Sequence, residues 1–258
     1  MSDPLAVVAG LPGVPEAVQE AREAVDRLYR HRVLRRRSPE VSAESALRGA
    51  RASAAIEGAD VPLESLRGGE VTDPVVQGAL RASAEVGRLA PTWRSAPRQV
   101  LARLHALAAA GMTVDPGRPR TASTTTDPLG LGPAPGPEET AARMSALAGL
   151  VTGSTAAPAL VLAAIVHAEL AVLRPFGVAD GLVARAAERL TLVDLGLDPK
   201  SLAVVEVGHA DLGDAYTEGL RAYLKGTSEG VGIWVRHCAS AVVHGVRETT
   251  AICEAMSR

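Results

Sequence analysis

The chain has 258 residues, 47% hydrophobic but only 2% aromatic, and a formal net charge of −2. That length suits one large domain, or one domain with a small helical appendage, and buries enough surface to fold without a disulfide or metal. The scarcity of rings excludes modules that stack nucleic-acid bases, the charge balance excludes a general nucleic-acid scaffold, and Phe176 is left as the single Phe.

The apolar content lies mostly in Ala, Leu and Val, and the first two are strong helix formers, so the composition points to an all-α fold. The first dozen residues read as a tail. They lack a basic leader region, carry Asp3 and are interrupted by Pro, so they do not read as a secretory signal. Pro15 suits the first position of a helix that runs to about residue 37. Its end carries a basic run, Arg27, Arg30, His31, Arg32, Arg35, Arg36 and Arg37. Two readings stand for this run: a solvated helix end favoured by the macrodipole, or a docking patch for an acidic partner. Ser38-Pro39 ends the helix, which sets residues 1–38 apart from a main domain over 39–258. A second helix covers 42–58, with Gly58 placed just past its last turn. Residues 59–72 read as loop. Asp73-Pro74 supplies a cap and a first-turn Pro for a helix to about Leu89, and another spans 95–110 and stops at Gly111.

Residues 111–137 are rich in Pro, Gly and Thr and are too long for an ordinary connection. The Thr run carries β propensity, so a short β-hairpin is expected here. Glu138 and Glu139 suit the start of a helix over 138–151. The most apolar stretch, 156–173, approaches the length of a membrane span. However, His167 and Glu169 lie inside it, which favours a buried core helix opened by Pro158. No membrane span and a reducing, cytoplasmic setting are expected. After a loop over 174–180, one helix ends at Gly196, and two more lie near 209–224 and 228–256. Cys238 and Cys253 lack the tight pairs of a four-ligand zinc site. They read as buried reduced thiols, and no metal site is expected. His167 reads as a hydrogen-bonded core histidine, with a replacement general base as the alternative. His209, His237 and His244 form no recognisable constellation in the sequence, and Tyr216 and Tyr223, seven apart, share a packing face. Gly130-Leu131-Gly132 lacks the Lys and the spacing of a P-loop.

Between the apolar helix and the next lies Leu173-Arg174-Pro175-Phe176-Gly177-Val178-Ala179-Asp180-Gly181-Leu182-Val183-Ala184-Arg185. It resembles the active loop of the Fic (Fido) domain family, H-P-F-x-[DE]-G-N-G-R-x-x-R, and agrees with it at Pro175, Phe176, Gly181 and Arg185. Ser53-Ala54-Ala55-Ile56-Glu57-Gly58 resembles the family's inhibitory motif, [ST]-x-x-x-E-[GN], with Ser53 and Glu57 on one helix face. The 111–137 segment stands where the family carries a hairpin flap, and Tyr223 and Trp234 resemble its C-terminal helices. The resemblance covers residues 40–250. It implies an all-helical Fic-like domain with an inhibitory-type helix (42–58), a flap (111–137) and an active-loop region (159–190). It also implies pairing of Glu57 with Arg185, and Phe176 anchoring the loop in the core. The family's active members transfer a nucleotide monophosphate, usually AMP from ATP with a divalent cation, to a target hydroxyl.

The loop departs from that pattern where the chemistry resides. Arg174 stands at the position of the catalytic His, and a permanently protonated guanidinium cannot serve as a base. Val178 replaces the acid that holds the cation and cannot ligate a hard ion. Ala179 replaces a Gly, Asp180 the Asn, and Leu182 the first Arg, which supports the phosphates. No catalytic residue is expected. The resemblance then implies a relative of AMP transferases that works by binding a protein partner or a nucleotide, with homo-oligomerisation open. Two alternatives stand: a transferase with another phosphate-containing donor and Asp180 or His167 as base, and a structural, oligomerising domain. Arg174 itself could bind an anion with the backbone N–H groups of the following helix, lie at the surface, or pair with Asp180.

Overall fold

The computed structural model describes residues 3–257, which form twelve α-helices and no β-strand. The helices are α1 (Pro4–Ala9), α2 (Val14–Tyr29), α3 (Leu34–Ile56), α4 (Leu63–Gly68), α5 (Pro74–Trp93) and α6 (Pro97–Ala108). They continue with α7 (Pro137–Thr152), α8 (Ala159–Leu173), α9 (Asp180–Asp194), α10 (Val205–Asp211), α11 (Asp214–Leu224) and α12 (Ser228–Ala255). The all-α expectation holds. Among the described residues no helix is long and apolar enough to cross a membrane.

Two helices form the centre. α8 is apolar on every face and buried along nearly its whole length, as a helix without a polar stripe must be. α9 lies along it and is equally buried, although it carries Asp180, Arg185, Glu188 and Arg189. α5 and α6 cover one side of α9, while α3 packs on α5 and α10. The long α12 packs against α2, α8, α10 and α11. Each Trp is buried with its indole N–H satisfied: Trp93 donates to Thr191 Oγ1 at 3.1 Å and Trp234 to the Ala164 carbonyl at 2.7 Å.

A core with few rings must close its gaps by bringing backbones together. Gly208 of α10 lies so near α12 that a Cβ would fall 2.0 Å from the Ala241 carbonyl oxygen. Gly78 meets the Ala108 carbonyl, and Gly230 the Ala222 carbonyl, at the same spacing. These glycines are fixed by interhelical approach, not by turn geometry.

Local signals place several boundaries correctly. Asp73 caps α5 through the N–H groups of Val75 and Val76. Gly58, at φ +92°, follows the end of α3. Other expectations need correction. The N-terminal segment is not a tail: Asp3 caps α1 with one carboxylate oxygen and accepts from Thr155 Oγ1 (2.7 Å) and Ala156 N (3.0 Å) with the other. The helix expected to reach residue 37 ends at Tyr29. The next begins at Leu34 and passes Ser38-Pro39 with a kink at Arg37 (φ −122°, ψ 21°), since Pro39 removes a helical N–H and crowds the preceding turn. The basic run therefore spans the end of α2, a short connection and the first turn of α3. Its arginines are exposed, and Arg37 donates to the Met256 carbonyl. The 59–72 loop contains α4, α5 continues through Pro91 to Trp93, and the 209–224 helix is two helices broken at Gly213.

The hairpin expected in 111–137 does not form. Apart from one isolated bridge between Ala110 and Thr113, this segment is an irregular strap. Its extended residues pair with the α8–α9 loop and not with each other.

Gly208→Ala is expected to destabilise the fold by about 1–3 kcal/mol through overpacking. Gly87→Ala, at an exposed helical site with nothing within 4 Å, should stabilise it by up to about 1 kcal/mol. Opposite shifts in urea midpoint check both.

Candidate functional site

The loop joining α8 to α9 turns within six residues, and three of them take positive φ: Arg174 (+46°), Gly177 (+87°) and Ala179 (+58°). Left-handed backbone is costly for the two that are not glycine, so other groups must hold the turn. The Arg174 N–H donates to Leu170 O, and the Gly177 N–H to Arg174 O. Asp180, at the start of α9, reaches back to accept from Phe176 N at 2.9 Å.

The strap supplies the rest. Its Arg120 N–H donates to Pro175 O (2.9 Å), and its Thr126 N–H to Gly177 O (2.8 Å). The Arg120 guanidinium donates to the carbonyls of Leu173 and Arg174, and also to Thr140 Oγ1 on α7. His105 of α6 completes the frame. Its Nδ1 accepts from Gly117 N (2.8 Å), its Nε2–H donates to Val178 O (3.1 Å), and its ring stacks on Phe176 with centroids 4.1 Å apart. Burial lowers the His105 pKa to about 4, so the ring is neutral in that role. Phe176 thus packs against the core and stacks on His105 while remaining partly exposed. Neither Arg120 nor His105 stands out in the sequence, because their partners are backbone groups.

Arg174 is neither at the surface nor paired with Asp180. It is 5% exposed, and its guanidinium pairs with Asp127 of the strap at 3.2 Å and donates to the carbonyls of Thr126 and Gly132. Three strap groups therefore hold its two Nη atoms, while its buried Nε has no partner among the described residues.

Arg185 is fully buried one turn into α9. Its Nη2 donates to Glu57 Oε1 (2.7 Å) and to Ser53 O (3.0 Å), its Nε to Ser53 Oγ (2.8 Å), and its Nη1 to Tyr216 OH (3.1 Å). Ser53 and Glu57, at the C-terminal end of α3, thus grip one guanidinium. The Glu57 carboxylate lies over Gly181, where a Cβ would come within 2.0 Å of Oε1. A carboxylate over the first turn of a helix complements its dipole. What is left between Glu57, Arg174, Asp127 and Gly181 is a cavity of about 20 Å³, room for a single water. Across Phe176, an apolar recess of about 460 Å³ opens between α6 and α7, lined in part by Leu101, Pro119 and Met144.

This helical arrangement has solved counterparts. A Fic family protein from Desulfovibrio desulfuricans G20 superposes with a TM-score of 0.76 at 21% identity, over 93% of this chain and 75% of that one. Fic-1 from C. elegans superposes with a TM-score of 0.66 at 16% identity, over 94% of this chain and 73% of that one. The fold is that of Fic family proteins. No protein-family model and no curated protein matches the chain.

The resemblance of the loop to the Fic motif implies ATP and a divalent cation, and the side chains at the positions it assigns to them do not fit. Val178 offers no ligand side chain, Leu182 is 2% exposed in the core, and the space between Glu57 and Arg174 is about 20 Å³.

Asp180 is the anomalous ionisable group of the loop. Burial raises its pKa to about 7. The Phe176 and Gly177 N–H groups oppose the rise, and the Glu57 charge adds to it. Its second oxygen has no partner. In the unfolded chain it ionises near 3.8. Between about pH 4 and 7 the folded state therefore retains a proton that the unfolded state has lost, and stability falls as pH rises. Asp180→Asn keeps the acceptor for Phe176 N without the charge. It is expected to leave stability unchanged near pH 4 and to raise it by on the order of 2–4 kcal/mol above pH 7, as denaturant melts across that range will read. Glu57→Ala, which leaves the Arg185 charge short of its counter-ion, should cost about 3–5 kcal/mol by the same melts.

Proposed function

We propose that this Fic-fold protein transfers no nucleotide and acts by binding a protein partner. The observation that supports the reading most directly is the state of Arg174. At the position that the Fic resemblance assigns to the catalytic base stands a guanidinium that cannot accept a proton, already bound to Asp127, Thr126 O and Gly132 O. A target hydroxyl arriving at that position meets a group that is always protonated and already engaged by the strap. The Glu57–Arg185 pair, which the resemblance assigns to inhibition, has a structural role in this reading: it fixes α3 over the first turn of α9 and fills the place where phosphates would lie.

The strap is the surface that remains adjustable. It stands where the resemblance places a target-positioning flap, most of its residues are exposed, and it is tied to the loop through Arg120, Thr126, Gly132 and the Arg174–Asp127 ion pair. A partner engaging the strap would touch the loop without entering it.

With α-labelled ATP and Mg²⁺ or Mn²⁺, no label is expected on the protein itself or on added protein. Nucleotides should leave the thermal midpoint unmoved with or without metal, whereas a ligand at a hundredfold excess over Kd would add about 2.7 kcal/mol. Label transfer that Arg174→Ala abolishes would overturn the proposal.

A further inference from the structure

Away from the loop, four polar side chains meet in the buried core, one from each of four helices. They are His167 of α8, Glu188 of α9, His209 of α10 and Cys238 of α12. Each is buried to within 1% of full enclosure, and one donor atom from each lies within 4.8 Å of the others. His167 Nδ1 is 2.6 Å and His209 Nε2 2.7 Å from the same oxygen, Glu188 Oε2. The outward nitrogens are fixed as well. His167 Nε2 contacts Tyr216 OH at 2.8 Å, and His209 Nδ1 contacts His237 Nε2 at 3.0 Å.

We propose that His167, Glu188, His209 and Cys238 form a closed structural site for a divalent transition metal of the zinc type.

Three features carry this beyond a buried hydrogen-bond knot. The first is the donor set. Two imidazoles, one carboxylate and one thiol are the ligands that zinc and its neighbours take, whereas magnesium and calcium want all-oxygen sites. Four protein donors leave no open position, which is the mark of a structural site.

The second is charge. In the loaded site Glu188 and the Cys238 thiolate carry two negative charges among fully buried groups, and the divalent cation balances them locally. Isolated buried charges are otherwise among the most expensive features of a core.

The third is the outer contacts. Ligating imidazoles use their second nitrogen to fix the ring, and both rings have that nitrogen occupied. Loading requires a tautomer shift in three rings: His167 Nε2–H then donates to the Tyr216 oxygen, whose own hydrogen turns away, His209 Nδ1–H donates to His237 Nε2, and His237 carries its proton on Nδ1. The single proton that leaves comes from the Cys238 thiol. Bonds near 2.1 Å separate tetrahedral donors by about 3.4 Å, so the two contacts to Glu188 open by under about 1 Å.

The pattern is invisible to sequence spacing. His167 and His209 each stand 21 residues from Glu188, so no short ligand pair exists. The consequence is mechanical: one ion would tie α8, α9, α10 and α12 together at the cluster of rings formed by His167, His209, Tyr216, Trp234 and His237. The proposal does not depend on whether the loop is catalytic.

The test uses the full chain, unfolded in chelator and refolded with Zn²⁺ or Co²⁺, since a sealed core need not exchange. About one equivalent of metal per chain is expected after desalting. The cobalt form should show the visible bands of tetrahedral geometry and a thiolate charge-transfer band. Cys238→Ser should lose the charge-transfer band, and His209→Ala should lose most of the metal. His244→Ala, at the half-exposed His244–Asp211 pair, should keep both signals. If a variant fails to fold, the wild-type cobalt spectrum decides. A folded chain that retains less than about a tenth of an equivalent would overturn the proposal, as would cobalt that is octahedral without a thiolate band or metal lost only with His244.

Discussion

The structure depends on one electrostatic constraint: its central helix is charged. Arg185, Glu188 and Arg189 of α9 lie out of water, and a buried ion that loses its partner is far more costly than one that keeps it. The elements around α9 therefore carry specific polar groups aimed at it. α3 brings Ser53 and Glu57 to Arg185, while α8 and α10 bring His167 and His209 to Glu188. Glu206 and Ser201 meet Arg189, and Tyr216 bridges Arg185 and His167. Apolar burial supplies the bulk of the driving force, but it is non-directional. The polar contacts are what fix the angular setting of each helix around α9.

The loop and strap obey a second logic, in which backbone holds backbone. Arg120 gathers carbonyls from Leu173, Arg174 and Ala122, and His105 clamps Gly117 and Val178. Apart from Arg120, little of this depends on the side chains of the strap, whose role is to present N–H groups at the correct spacing. Asp127 is the other exception: it orders its own turn by accepting from Leu131 and Gly132 while pairing with Arg174.

What can be read from the sequence follows from the range of the interactions. The ends of α3, α5 and α8 are legible because Gly58, Asp73 and Pro158 act within one turn of themselves. α1 carries the same local signal in Asp3-Pro4, and what lies beyond its range is the tie of Asp3 to Thr155 and Ala156, far along the chain. The Thr run reads as a hairpin, wrongly, because β propensity says that a segment is extended without saying what it pairs with. The place of Arg174 is hidden for a related reason, as its partners lie in a strap with no periodic pattern. Ser53, Glu57 and Arg185 are found through the family resemblance. The histidines near Glu188 escape because each arrives on its own helix.

Arg174 shows what such a loop commits a protein to. Its long side chain satisfies Asp127 and two carbonyls from a left-handed backbone position. An imidazole placed there by a single codon change would be too short to reach all three, and Asp127 would be left without its cation. A residue at the mouth of the loop is thereby part of what keeps the strap folded, so the identity of this one side chain is constrained by stability, independently of any chemistry.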